Sequence, residues 1–529
     1  MDDLIKLKGL VAKGRMSRRD FIQQALLAGV SLTAAQSLFT QAARAEPKKG
    51  GLARIATSHG STSDSLDPRG YPDVFSQAAL FGALSNALTE IDAEGNVVGD
   101  VAESFEPSDG AKVWMFKIRK GLTFHNGRTV TSTDVVQSIL HHMGETKSAA
   151  KSFLKQVTEV KEDGPETVVF TLAGGSADFP YIVSDYHLPI MPAKDGGGVD
   201  WESGVRTGPF ILGTFDPGVK LTAKANPNYH KTGQPYFEEV AFIVMHDVTA
   251  RTNALTTGEV DYITRADLKT LHLLQRDPNV AINEVTAYVH YNLAMDMRQA
   301  PFDDNNVRLA LKYAIDRQEI VDKVFLGHAT AANDNPLAPS IKYAIDPEPK
   351  HVYDPEMAKS YLQKAGLSNL KVALSAADAA FAGAVDAAVL YQQQAAKAGI
   401  EIEVIREPND GYWDNVWMKK PFVAGAWTGR PTADWMLTIG YAKDAAWNET
   451  FWDNAKFNEL LTAARAELDD AKRAAMYAEM QQLIHDDCGN IILAFNNIVG
   501  AYSKKLEHGK VGSNADLDGM KIAERWWFA

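Results

Sequence analysis

The sequence predicts a mixed α/β protein made of packed lobes, on three observations. Several short stretches alternate apolar and polar residues, the period of a half-buried strand. Others repeat apolar residues every three to four positions, the period of an amphipathic helix. The chain also has 529 residues, more than one ordinary core accommodates, so two or three domains are expected. In chain order, KVWMFKIRKGLTF, starting at Lys112, reads as a strand or hairpin arm. TVVFTL at 167–172 and EVAFIVM at 239–245 read as strands. Residues 305–327 place Val307, Leu311, Ala314, Ile315, Val321 and Val324 at helical spacing, with Gly327 as the stop. Residues 456–487 read as two amphipathic helices joined near Asp469 and Asp470. With 45% apolar and 23% charged residues the composition is globular.

The first 45 residues are set apart from the folded body. MSRRDFIQQALLAGVSLTAAQSLFTQAARA carries the twin arginine Arg18–Arg19, a moderately apolar run and then Ala43-Arg44-Ala45. These are the n-region, h-region and A-x-A site of a twin-arginine export signal cleaved after Ala45. Gln23, Gln24 and Gln36 interrupt the run, and nothing later reaches the roughly 18 apolar residues of a membrane span. A soluble, periplasmic mature chain is expected.

Without the leader the net charge falls from −13 to about −17. So acidic a chain, with no basic run, is a poor nucleic-acid partner. The sole cysteine, Cys488, leaves no internal disulfide and no multi-cysteine metal site, and reads as a small buried apolar residue. Phosphate loops, dinucleotide turns, H-E-x-x-H, G-x-S-x-G and EF-hand loops are all missing. The pair His141-His142 reads as solvated or capping, because neighbouring helical residues do not share a face. Asn448-Glu449-Thr450 matches a glycosylation acceptor by chance. No catalytic residue, metal or cofactor is assigned.

The order of short blocks adds a resemblance. Leu66-Asp67-Pro68, then F-K-I-R-K-G-L-T-F-H-N-G from Phe116 to Gly127 and T-S-T-D-V from Thr131 resemble the N-terminal signature of the family 5 extracellular solute-binding proteins. R-T-G-P-F from Arg206, A-L-T-T-G-E-V-D from Ala254, V-R-L-A-L-K-Y-A-I-D-R from Val307 and Y-D-P from Tyr353 continue the pattern. These matches run in order from about residue 64 to 500. The resemblance implies a receptor of a peptide, nickel or related ABC importer, with two hinged lobes and an extra subdomain in the first. Residues 46–77, 205–291 and 500–529 would form lobe one, 78–204 its subdomain and 292–499 lobe two. It also implies that the 125–136 segment is scaffold, with Ser132 or Thr133 as a helix N-cap. The partners implied are a small solute and an inner-membrane permease, and the receptor is expected to be a monomer.

The same resemblance directs attention to AGAWTGRPTADW, from Ala424 to Trp435. Six of the ten tryptophans lie between Trp413 and Trp452. The family pattern W-x-[AG]-D places Trp427 in the ligand cleft, followed by an aspartate that pairs with a peptide's ammonium. Here that aspartate is replaced by Arg430. Its planar donor fork suits a carboxylate, a phosphate or vicinal hydroxyls; alternatively it pairs with Asp434 or another acid and only shapes the wall, or Asp434 itself replaces the lost carboxylate. Trp413 and Trp417 share a helix face and edge the cleft, whereas Trp435, Phe451 and Trp452 read as packing. From the first lobe, Tyr71, Asp73 and Phe75 are the ligand candidates. The expected function is a periplasmic receptor, not an enzyme, for a peptide or peptide-like solute. An opine, another acidic conjugate or an oligosaccharide is the alternative, nickel complexes are less favoured, and a periplasmic hydrolase or an adaptor are the rival classes.

Overall fold

The computed structural model describes residues 18–27, 47–408, 412–427, 429–443 and 445–529. Of the expected leader, only the helix Arg18–Leu27 falls among them; the expected cleavage segment at 43–45 lies outside the described residues. An eleven-stranded mixed sheet runs through the molecule. From one edge its order is Ile400–Arg406, Leu370–Ala376, Phe422–Trp427, Val280–Met295, Asn490–Ser503, Tyr262–Ile263, Leu52–Thr57, Glu239–Val244, Lys220–Ala225 and Phe210–Asp216. Ala329–Ala331 pairs separately with Asn490–Ser503.

Two long antiparallel strands, Val280–Met295 and Asn490–Ser503, form the middle of that sheet. Val280 to Thr286 pair with Ser503 to Asn497. Pairing resumes with His290 against Phe495, so Ala287, Tyr288 and Val289 stand opposite Asn496 alone. Such a bulge bends a strand and increases its twist. One half of the sheet packs on clusters that contain Phe75, Phe242 and Trp526, and Ile263 and Leu271. The other half packs on clusters that contain Leu311, Tyr391 and Phe422, and Trp452 and Tyr477. The molecule is therefore bilobal, with each lobe owning its hydrophobic core.

A further core belongs to a four-stranded antiparallel sheet, Ala102–Ser108, Val113–Ile118, Thr167–Leu172 and Val157–Glu162. The alternation read in Val113–Ile118 is realised there: Trp114, Phe116 and Ile118 point inward, while Met115 and Lys117 are exposed. This body reaches across to the second lobe. Arg473 donates to Asp178 at 2.7 Å, and the Ala177 N–H donates to the Arg465 carbonyl at 2.8 Å.

Local readings need three corrections. The periodic stretch at 305–327 is two helices, Asn305–Tyr313 and Arg317–Lys323. Asp316 breaks it by adopting an extended backbone and accepting from the Glu319 N–H at 2.9 Å as an N-cap. The helix Ser132–Leu140 is capped by Thr131, not by Ser132 or Thr133. The Asp134 carboxylate accepts the Thr131 N–H at 2.9 Å, and the Ser132 hydroxyl is turned away to the Gly164 carbonyl. Of the histidine pair, His141 does end this helix and meets Asp67 at 3.0 Å, but His142 is buried against the Ser148 hydroxyl at 2.6 Å rather than solvated. The readings at Asp469, which caps Asp470–Asp487, and at buried Cys488 match the structure. Among the described residues no helix is long and apolar enough to cross a membrane.

The Arg473–Asp178 pair generates a prediction. Both side chains are less than a tenth exposed, and removing one partner of a buried pair costs about 3–5 kcal/mol. When the lobes part, water resolvates Arg473, so Asp178→Ala shifts the population toward separated lobes. Small-angle scattering should show a larger radius of gyration than for the unaltered protein; an unchanged radius would show that the pair does not hold the lobes together.

Candidate functional site

A cavity of about 640 Å³ lies where the two lobes face each other. Its size is that of a small-solute site. One wall follows the strand Phe422–Trp427, whose last residue pairs with His290 next to the bulge. The chain then turns through Gly429, Arg430 and Pro431, and Thr432 caps the helix Ala433–Tyr441 by accepting the Trp435 N–H at 3.2 Å. Gly429 is required by contact, since a Cβ there would stand 2.0 Å from the Tyr288 Cβ. That close approach brings Arg430 beside the Tyr288 bulge. Burial presses the Arg430 guanidinium below its ordinary pKa, and nearby Tyr186 opposes the shift.

Tyr186 comes from the opposite wall, with Asp185 and His187 beside it. The Asp185 carboxylate accepts the His187 N–H at 2.9 Å and lies 2.7 Å from its Nδ1. Tyr181 and Tyr288 also line the cavity, burial pushes both hydroxyls up to about 12, and the Tyr181 hydroxyl donates to the Gly95 carbonyl at 3.1 Å. At the far side the wall is made by Glu90, Asn514 and Lys521. The cavity thus presents both signs of charge, aromatic faces and neutral hydroxyls. It can hold a small polar solute through contacts to both lobes.

The tryptophan stretch is organised by a buried carboxylate, Glu449. Its oxygens accept the indole N–H groups of Trp427 at 2.7 Å and Trp417 at 2.6 Å. Amides of Asn292 and Asn490, one from each long strand, donate to it at 2.7 and 3.2 Å. Burial raises the Glu449 pKa, and these four hydrogen bonds oppose the rise. Asn448, in the same triplet, is buried and donates to the Trp452 carbonyl at 2.7 Å, as suits a chance glycosylation match.

Arg430 lines the cavity. Asp434 does not pair with it there: Asp434 faces an adjoining cavity of about 410 Å³, where Arg465 donates to it at 3.3 Å and Tyr477 at 3.4 Å. Trp427 is 5% exposed and stands behind Trp447, which is the ring that reaches the cavity. Trp413 and Trp417 edge a separate outer pocket, together with Arg298 and Phe451. Tyr71 and Phe75 are packed into the first core, and Asp73 accepts the Ser76 N–H at 2.9 Å. That segment reaches the cavity only later, through Gln77 and Phe81. Trp435, read as packing, lines both cavities and meets Phe153 edge-on at 5.5 Å. Phe451 lies under Arg298 and Trp452 is core, as packing requires. Tyr186 and Lys521 carried no local signal, and Trp447 was one of six clustered tryptophans with nothing to single it out, because only the fold brings the three to the cavity with Arg430.

Two α/β lobes joined by long shared strands and facing each other across a solute-sized cavity define a hinged binding protein. The chain belongs to the bacterial extracellular solute-binding proteins, family 5, whose middle region matches residues 96–449. Proteins of this family are substrate-binding receptors of ABC importers, and this chain is such a receptor. It is 26% identical to the glutathione-binding protein GsiB of Escherichia coli (strain K12) over 469 residues, 85% of this chain and 91% of that one. Its fold matches HbpA2 from Haemophilus parasuis with a TM-score of 0.81 at 21% identity, covering 89% and 99% of the two chains. It also matches AgaA from A. tumefaciens R10, solved with agropinic acid, with a TM-score of 0.67 at 24% identity over 90% and 99%. The relatives are periplasmic solute-binding proteins.

Glu449 is expected to govern the tryptophan wall. Glu449→Ala leaves two indole and two amide donors without their acceptor, each at about 1–3 kcal/mol. The melting temperature should fall by several degrees, and tryptophan fluorescence should shift to the red. A variant that melts and fluoresces like the parent would remove Glu449 from this role.

Proposed function

We propose that the solute is a small peptide or peptide-like molecule carrying an anionic group that Arg430 binds. The position of Arg430 in the cavity wall carries this reading: a rigid donor fork, partly desolvated, stands where the family pattern has an aspartate for a peptide ammonium. A fork of this kind binds carboxylates through paired, charge-assisted hydrogen bonds. The GsiB relatives bear the name of an acidic tripeptide's receptor, and the fold neighbour AgaA was solved with agropinic acid, which supports an acidic ligand. Binding draws the lobes together because only the closed state offers contacts from both, and the receptor passes its solute unchanged to an inner-membrane permease. The lobe boundaries set out from the family pattern, monomeric assembly and export through the twin-arginine signal with cleavage after Ala45 belong to the same proposal.

The test is calorimetry on Arg430 variants. Arg430→Ala should keep the fold and weaken an acidic peptide such as glutathione by about 1.5–3 kcal/mol, roughly 10–150-fold in Kd. Arg430→Lys should recover little, since a point charge does not reproduce the fork. Thermal protection by the peptide should shrink in step with affinity. An unchanged Kd in Arg430→Ala would mean that the guanidinium never meets the solute.

Export is tested separately. Replacing Arg18 and Arg19 together by Lys should leave full-length precursor in the cytoplasm, because a receptor reads the arginines and charge alone does not suffice. Normal secretion of that variant, followed by immunoblotting of cell fractions, would argue for another route.

A further inference from the structure

The cavity has a second cation, on the opposite lobe from Arg430. Lys521 lines it, and its side chain is only 3% exposed. Its ammonium has no hydrogen-bond partner among the described residues. The nearest acids, Glu524 and Glu90, are 3.7 and 3.8 Å away. The short bonds to those acids are made by Lys231, at 2.7 Å to Glu524 and 2.6 Å to Glu90. The other Glu524 oxygen accepts the Tyr229 hydroxyl at 3.1 Å. Lys231 therefore takes the short bonds, and Lys521 is left ion-paired with both acids at 3.7 and 3.8 Å, with no hydrogen-bond acceptor among the described residues for its three donors. Its charge is balanced by those two acids, but its buried N–H donors lack hydrogen-bond acceptors among the described residues, and an acceptor arriving in the cavity would satisfy them.

Its placement points the same way. The Lys521 ammonium sits 5.1 Å from the centre of the Phe81 ring and beside Glu90, and both of those residues also line the cavity. The chain delivers Lys521 through a strained turn. Leu517, Asp518, Gly519 and Met520 all have φ between 58° and 70°, a region unfavourable for side-chain-bearing residues. The turn is pinned by Asp518, whose carboxylate accepts the Gly512 N–H at 2.6 Å and the Trp526 indole N–H at 3.1 Å. From below, Gly82 has no Cβ, and one there would stand 1.9 Å from the Met520 carbonyl oxygen. Strained backbone of this kind clusters at ligand clamps and other functional segments, and Gly519, Met520 and Lys521 line the cavity.

We propose that Lys521 binds a second carboxylate of the solute, so that a dicarboxylate spans the cavity from Lys521 on lobe one to Arg430 on lobe two. This rests on the Arg430 reading and extends it. It also supplies a reason for selective closure: each lobe holds one anionic end, and a solute with one carboxylate engages only one lobe by a charge.

The experiment titrates the full mature receptor with glutathione, with its two singly amidated forms and with the diamide. Each amidation should weaken binding to the unaltered protein roughly 10–150-fold, a comparison that needs no substitution in the buried cluster. Lys521→Met should lose the same factor for glutathione and nothing for the monoamide that lacks the Lys521-facing carboxylate. Arg430→Ala should show the mirror pattern with the other monoamide, and Lys521→Arg should retain most of the affinity. Equal affinity for glutathione and one monoamide, with the loss confined to Arg430→Ala, would overturn the Lys521 site and leave the Arg430 reading standing. Equal binding of all four forms, binding of none, or an equal loss for every form in Lys521→Met would overturn the two-carboxylate proposal.

Discussion

The structure depends on the antiparallel pairing of Val280–Met295 with Asn490–Ser503. These strands lie in the middle of the sheet, so everything on one side belongs to one lobe's cores and everything on the other to the second lobe's. Backbone hydrogen bonds keep the two lobes in register, and the ladder is interrupted only where three residues oppose one, with a smaller irregularity at Tyr291. At that interruption Tyr288 leaves the ladder and enters the cavity wall, and Gly429 packs directly on it. The joint between the lobes and the wall of the site are thus the same few residues.

Around this joint, charge is divided between groups that close the structure and groups that face the cavity. Asp178 is matched by Arg473, Asp434 by Arg465, and Glu90 and Glu524 by Lys231 and, at longer range, by Lys521. Glu449 is matched by neutral donors, two indoles and two amides, and this ties the tryptophan wall to both long strands. Such matching is what allows buried charge at all, since an unmatched buried ion costs several kcal/mol or about that order. Arg430 and Lys521 stand at the cavity on opposite lobes, and the chemistry of a solute that meets both follows from their positions.

Much of the fold was legible in the sequence because strand and helix periods are local. Val113–Ile118, Thr167–Leu172 and Glu239–Val244 could be read directly, as could the helices flanking Asp469. The helix pair at 305–327 was missed as a pair because an apolar period does not reveal that Asp316 caps a new helix in mid-pattern. The block order identified the family, which the match over residues 96–449 establishes. Arg430 was legible for a different reason: it is a substitution of opposite charge inside a short motif.

The sequence by itself determined the class of protein, the local elements and one cationic contact candidate. Tertiary structure alone decided which aromatic rings and charges share the cavity. Trp435 and Trp447 reach it while Trp427 stands behind, and Tyr71 and Phe75 turn into the core while Gln77 and Phe81 reach the cavity. Residues 90, 186, 288, 430 and 521 meet there from distant parts of the chain. The physical reason is that backbone geometry repeats over a few residues and leaves its trace in neighbouring letters. Strand order and competition for burial act between distant segments, and they leave none.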